Sequence, residues 1–246
     1  MLERETWRGV LVGLGVFAFI WWLIAGMARV PIIPSPVDVA INIGQIFAAK
    51  LQVHISYSLG RIAGGILLSV LIGVPLGFLM GAFDRVDKVL SPLVYFTYPI
   101  PKLALLPVVM LIFGLGEASK LIMIVLIVIF QIIITSRDAV RGIPQEIFRS
   151  MRSLGAGRWQ IFTEVILPAT LSDVLTAIRL ALGTAVSILF FTETYGTEYG
   201  MGYFVMDAWL RVNYLEMYSG IVVLSLMGLI LFVAIDVVEK RLSAWR

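Results

Sequence analysis

Apolar runs long enough to cross a bilayer recur along this chain, and one long polar stretch, from Arg137 to Pro168, interrupts them. Several runs approach or exceed the roughly 18 residues that cross hydrocarbon as a helix. Of the 246 residues, 60% are apolar and 14% are charged, against about 25% charged in a soluble domain. The expected fold class is therefore an all-α membrane protein built as one transmembrane domain over residues 1–246. There is no cysteine, so neither a disulfide framework nor a thiol site is available.

Apolar length and punctuation predict six spans: about 10–28, 59–81, 89–113, 118–135, 171–191 and 220–237. The third is interrupted by Pro92, Pro99, Pro101 and Pro107. Arg4 and Arg8 precede the first run, which is too long for the h-region of a signal peptide, about 7–15 residues; an uncleaved first span is expected. Lysines and arginines divide twelve against four between the two sides. One side takes Arg4, Arg8, Arg85, Lys88, the five arginines of the polar stretch, Lys240, Arg241 and Arg246; the other takes Arg29, Lys50, Lys120 and Arg211. The positive-inside rule then puts both termini and the polar stretch in the cytoplasm, with the chain multi-pass in a cytoplasmic (inner) membrane.

The segment 31–58 opens with Pro31, Pro34 and Pro36. From Asp38 to Gln52 it predicts an amphipathic surface helix on the outer face, with Val39, Ile43, Ile46 and Phe47 along one side. The second span carries Gly-x-x-x-Gly pairs at Gly60/Gly64, Gly73/Gly77 and Gly77/Gly81, small residues that let helices approach closely in lipid.

The polar stretch keeps a helical stripe. Pro144 starts a helix with Ile147, Phe148, Met151 and Leu154 on one side and Gln145, Arg149 and Arg152 on another. Gly155 breaks it, because glycine reaches left-handed backbone angles cheaply. A second helix runs from about Arg158 to Ile166, with Trp159, Phe162 and Ile166 as its stripe, and Leu167-Pro168 ends it. Such a hairpin either docks a soluble partner or packs against the inner ends of the spans.

This layout resembles the cytoplasmic EAA loop of binding-protein-dependent ABC transporter permeases, through Ser153-Leu154-Gly155-Ala156 and Val165-Ile166-Leu167-Pro168. Arg149-Ser150-Met151 stands where that family has its acidic-Ala-Ala triplet. The nitrate/sulfonate/taurine and bicarbonate branch is resembled by Ile32-Ile33-Pro34-Ser35-Pro36, by the run from Pro99 to Pro107 followed by Phe113-Gly114-Leu115-Gly116-Glu117, by the run from Ile178 to Gly183, and by Glu193 with Gly200-Met201-Gly202. The resemblance implies a type I importer permease that works by alternating access on a small organic or inorganic anion. It also implies a second permease copy as homodimer, two cytoplasmic ABC ATPase subunits and an external solute-binding protein. Coupling would fall to Phe148, Arg149, Met151, Arg152, Leu154, Gly155, Ala156, Trp159, Leu167 and Pro168 in the loop 137–168.

No GxxxxGK[ST] pattern occurs, so ATP would be used by the partner subunits and no cofactor is expected on this chain. The single histidine, His54, and the absence of clustered carboxylates point away from a metal site. No catalytic motif appears; the chain is not expected to be an enzyme or to bind nucleic acid, and its remaining partner is lipid.

Charges inside spans carry two readings each. Lys102, between Pro101 and Pro107, either faces a wet substrate pathway or snorkels to a headgroup. Arg179 either pairs between helices or snorkels, and Arg61 is similar at the outer end of its span. Glu193 either caps or pairs at an outer gate or is an exposed helix end. Two alternatives to the importer remain: an ATP-independent secondary transporter or channel, and a membrane scaffold. The lack of evident inverted-repeat symmetry weighs against the former.

Overall fold

The computed structural model describes residues 2–28 and 30–242, without the side chains of residues 2–8, 10 and 11. Arg29 and Arg246, and the side chains of Arg4 and Arg8, lie outside the described residues. The described chain is helical throughout, with no strand. In chain order it forms α1 (Leu2–Ala28), α2 (Pro36–Ile46), α3 (Gln52–Ala82), α4 (Asp84–Thr97), α5 (Leu106–Phe113) and α6 (Glu117–Arg141). The polar stretch supplies α7 (Gln145–Ser153) and α8 (Arg158–Ile161), followed by α9 (Leu167–Glu193), α10 (Met201–Leu210) and α11 (Tyr214–Leu242).

Four helical runs are long and apolar enough to cross a membrane: 36–82, 117–141, 158–193 and 214–242. A fifth crossing arises if α4 and the segment 102–113, bent by 81°, count as one broken span. Of α1, whose side chains at 2–8, 10 and 11 are not described, residues 12–28 form an apolar helix. Six crossings are therefore not reached by length and composition among the described residues.

The outer segment departs from expectation. Asp38–Gln52 is not a separate surface helix: α2 continues into α3 through a π turn at Phe47–Leu51, giving a 47-residue run. Ser35 starts it, its hydroxyl accepting from Asp38 N at 3.1 Å. Val39 is buried, and Ile43 and Ile46 pack toward Leu51, Met201, Phe204 and Val223. Phe47 points away and is exposed, because the π turn rotates it off that face.

The core is the α3–α6–α9 trio. Ile62 and Ile66 of α3 meet Ile124, Val128 and Ile132 of α6 and Ala181, Leu182, Ala185 and Leu189 of α9. Between helices in lipid, close packing replaces the hydrophobic drive. A Cβ on Gly77 would lie 2.6 Å from Ile133 O and from Ser136 Cβ, so α3 and α6 touch nearly backbone to backbone there. Gly81 meets Val140 in the same way, whereas Gly60 faces open space and packs on nothing.

The fourth span runs past its expected end to Arg141, and Arg137 is buried within it rather than standing in a loop. Leu167-Pro168 does not end a helix either. A π turn at Phe162–Ile166 joins α8 to α9, making one run of 36 residues from Arg158 to Glu193. Proline lacks an N–H and crowds the carbonyl four residues back; the shift to i−5 bonding, with Leu167 N donating to Phe162 O, accommodates Pro168 without a break.

Candidate functional site

Two polar assemblies occupy opposite ends of the Arg158–Glu193 run. One is the hairpin of α7 and α8. Glu146 in the first turn of α7 and Arg152 in the last complement the helix dipole. The helix closes on Gly155 at φ +80°, with Ala156 N donating to Met151 O and Gly155 N to Arg152 O, both at 3.0 Å. These two bonds make a Schellman end, which only glycine reaches without strain. Gln160 Oε1 then accepts from Gly157 N at 2.8 Å and starts α8.

The apolar stripe of this hairpin is split. Phe148 and Met151 pack inward on the cluster of Phe78, Val140, Ile143, Val165, Ile166 and Val174. The Phe162 ring meets Phe78 edge-on at 6.2 Å. Leu154 and Trp159 face outward, 83% and 74% exposed, and Ile147 is exposed as well. Arg149, Arg152 and Arg158 are exposed and make no ion pair among the described residues. Ala156 is half-buried, Leu167 is exposed and Pro168 half-buried at the head of α9.

Arg137 and Arg141 belong elsewhere. Arg137 donates to Asp138 Oδ1 (2.8 Å), Ser91 Oγ (3.1 Å) and Tyr95 Oη (3.0 Å), and Arg141 pairs with Asp87 at 2.8 Å. They fasten α6 to α4. Arg179 does not snorkel: it pairs with Asp236 and, at 3.3 Å, with Glu239 of α11.

The other assembly gathers around Glu193, which is fully buried. Its carboxylate accepts from Arg61 Nη1 (2.7 Å), from Ser58 Oγ (2.8 and 2.9 Å) and from Gly202 N (2.9 Å). Arg61, 3% exposed, is not snorkelling but uses all five N–H groups. Nε and Nη2 donate to the two oxygens of Glu117 (2.6 and 2.5 Å), Nη1 also to Tyr199 O (2.7 Å), and Nη2 also to Thr197 Oγ1 (3.4 Å). Such a fork gives geometric specificity as well as attraction.

Helical spacing places His54, Ser58 and Arg61 on one face of α3. His54 Nδ1 accepts from Gly200 N (3.1 Å) and Ser58 Oγ from Met201 N (2.8 Å). With Gly202 N on Glu193, the amides of Gly200, Met201 and Gly202 find acceptors, which helix N-termini otherwise lack. Gly200 sits at φ +127°, and any Cβ there would collide with the Glu193 carboxylate. The Gly200-Met201-Gly202 run is thus moulded on Glu193.

Lys120 is not an outer surface charge. It is buried and donates to Leu115 O (2.7 Å) and Gly116 O (3.2 Å) at the end of the α5 segment. Lys102 does the same for α4: Nζ donates to Thr97 O and Tyr98 O, both 2.9 Å, and lies 4.8 Å from the centre of the Phe130 ring. Pro101 leads into the turn at Lys102–Leu105, and Pro107 lies in the first turn of α5, where its missing N–H costs nothing. The structure thus brings Glu193 together with Arg61, Glu117, Ser58 and His54. It does not bring Lys102, Pro101 or Pro107 to that cluster. No group of three potential metal ligands exists among the described residues.

Residues 73–244 match the family described as the binding-protein-dependent transport system inner membrane component. The chain belongs to this family. It is the membrane-embedded permease subunit of an ABC importer, and ATP hydrolysis lies with a separate subunit, so the chain is not an enzyme. Relatives extend over nearly the full length. The taurine transport system permease protein TauC of Escherichia coli (strain K12) is 30% identical over 97% of this chain and 90% of its own. A Bacillus subtilis (strain 168) protein described as an aliphatic sulfonates transport permease, SsuC, is 31% identical over 99% and 90%. The formylaminopyrimidine transport permease protein ThiX of Halalkalibacterium halodurans is 30% identical over 92% and 91%. Among solved structures, the permease fold of inward-facing MetNI, a methionine ABC transporter, superposes with a TM-score of 0.69 over 82% of this chain and 98% of that one, at 19% identity. The permease therefore shares the type I importer fold, and the ATP-independent transporter alternative gives way to family membership.

Proposed function

We propose that two copies of this permease, with two cytoplasmic ATPase subunits and an external solute-binding protein, import a small sulfonate-type anion by alternating access. Each copy would cross the membrane six times, with α1 and the bent α4–α5 segment as crossings and both termini cytoplasmic. The distribution of lysine and arginine supports that orientation.

One observation carries the coupling half of this reading: Ile147, Leu154 and Trp159 stand exposed beside three arginines that make no ion pair among the described residues, on a hairpin fused to a membrane helix. Apolar anchors ringed by polar groups are how a helix seats in a groove. The residues that would enter the ATPase are Leu154 and Trp159 with Arg149 and Arg152. Phe148 and Met151 would act behind them, tying the hairpin to the inner ends of α3, α6 and α9. The anionic cargo rests on the sulfonate and taurine relatives, because Lys102 has its ammonium engaged by two carbonyls.

The test is vesicles holding the permease with its ATPase, supplied with binding protein and radiolabelled taurine. ATP-dependent accumulation is the expected result. A complex that hydrolyses ATP yet accumulates neither taurine nor any other alkanesulfonate would refute the cargo. A permease that retains no ATPase on purification would refute the coupling.

A further inference from the structure

We propose, on the transport reading above, that the buried Arg61–Glu193 pair is the joint through which movement of the inner hairpin reaches the outer mouth of the permease.

The hairpin and Glu193 are opposite ends of one unbroken 36-residue helical run, roughly 54 Å long at 1.5 Å per residue. Displacing its inner end moves the outer end only if the run is stiff and its outer end is fixed to something. At the π turn backbone bonding continues in i−5 register, so the run is not interrupted there. Fixation is supplied at Glu193. Apolar packing of α9 on α3 and α6 is non-directional, whereas the bonds at Glu193 are directional and reach three elements at once. Ser58 and Arg61 hold it to α3, Arg61 extends the hold to Glu117 at the head of α6, and Gly202 N ties in α10. Arg61 also holds Tyr199 O and Thr197 Oγ1, so the loop between α9 and α10 follows the same charge. Two discrete arrangements of a rigidly linked element are what transmission over such a distance needs. Arg61 and Glu193 act here as positioning residues; with every N–H of Arg61 in use, neither has a free bond for solute.

The experiment reads uptake per ATP hydrolysed, in vesicles with the ATPase and taurine-loaded binding protein. Arg61→Met combined with Glu193→Gln removes both charges of the pair together, and the glutamine oxygen still accepts from Gly202 N and Ser58. The expected outcome is assembled complex with ATP hydrolysis near the unsubstituted level and uptake per ATP lowered roughly tenfold, a typical size for a coupling between sites. Glu193→Gln alone, which keeps the shape of the joint and removes one charge, gives the same ratio measurement should the double variant assemble poorly, with a smaller fall expected. A ratio unchanged in both variants overturns the proposal, even where the amount of complex drops, since a purely structural role lowers uptake and hydrolysis together. Absence of ATP-driven uptake in the unsubstituted permease overturns the transport reading and the joint with it, and is told apart because no substitution is needed to see it.

Discussion

At the Glu193 end of the Arg158–Glu193 run, Glu193 is fully enclosed and both of its oxygens are engaged by donors. At the Arg158 end, Arg149, Arg152 and Arg158 stand in the open beside Leu154 and Trp159. The two ends carry opposite answers to one constraint. A charge removed from water needs a partner and further hydrogen bonds to offset desolvation, so the outer charges are arranged as internal structure. A charge left in water needs nothing, so an unpaired arginine beside a large exposed apolar side chain is placed for another molecule. We read burial with saturation as the joint and exposure without partners as the contact.

The comparison breaks most visibly at Arg61. Arg61→Ala leaves Glu193 buried with Ser58 and Gly202 N but no cation. The expected loss is roughly 3–5 kcal/mol, the usual result of removing one member of a buried pair, read as a large fall in the thermal unfolding midpoint in detergent. A loss below about 1 kcal/mol, typical of solvent-exposed pairs, would show that water reaches the cluster and would erase the contrast with the hairpin.

Between the two ends, the α3–α6 contact offers an intermediate case that involves no charge. Gly77→Ala forces a methyl group against Ile133 O and Ser136 Cβ, one of them backbone that cannot rotate away. Overpacking of this kind costs roughly 1–3 kcal/mol. Gly60→Ala, where nothing lies within 4 Å, is the control and should leave the unfolding midpoint in place. Equal effects at the two glycines would mean that α3 and α6 are not held at this separation.

Much of this was legible in the sequence because lipid makes simple demands. Apolar length gave the α6, α9 and α11 crossings, and Gly155 marked the end of α7 because a left-handed residue there favours glycine. The polar partnerships were not legible, because a charge in a span reads the same whether it snorkels or pairs. Arg61 finds Glu117 and Glu193 across 56 and 132 residues of sequence, and Arg179 finds Asp236 across 57. One signal was available: His54, Ser58 and Arg61 repeat at helical spacing on an otherwise apolar helix. Of the prolines read as breaks, Pro168 was misjudged and Pro99 and Pro101 were not. Pro168 is absorbed by a π turn, while Pro99 and Pro101 lie at a true bend of 81°, where Lys102 satisfies the carbonyls that the bend leaves open.

The hairpin lies at the far end of the stability scale and carries the smallest expected effect there. Leu154→Ser together with Trp159→Ser replaces two side chains already in water, so the unfolding midpoint should shift by no more than about 0.5 kcal/mol. Phe148→Ser is the counterpart on the opposite face of the same hairpin. Its ring packs on the cluster that includes Phe78, Val165 and Val174, and its loss should lower stability as a core truncation does. Retention of the ATPase on purification should invert this order per folded molecule: the exposed pair loses it, while Phe148→Ser keeps a larger share. Stability loss from the exposed pair, or ATPase retention that ignores it, would mean that the outward face of α7 and α8 is covered by the permease itself, and the inner end of the helix would then be a second joint.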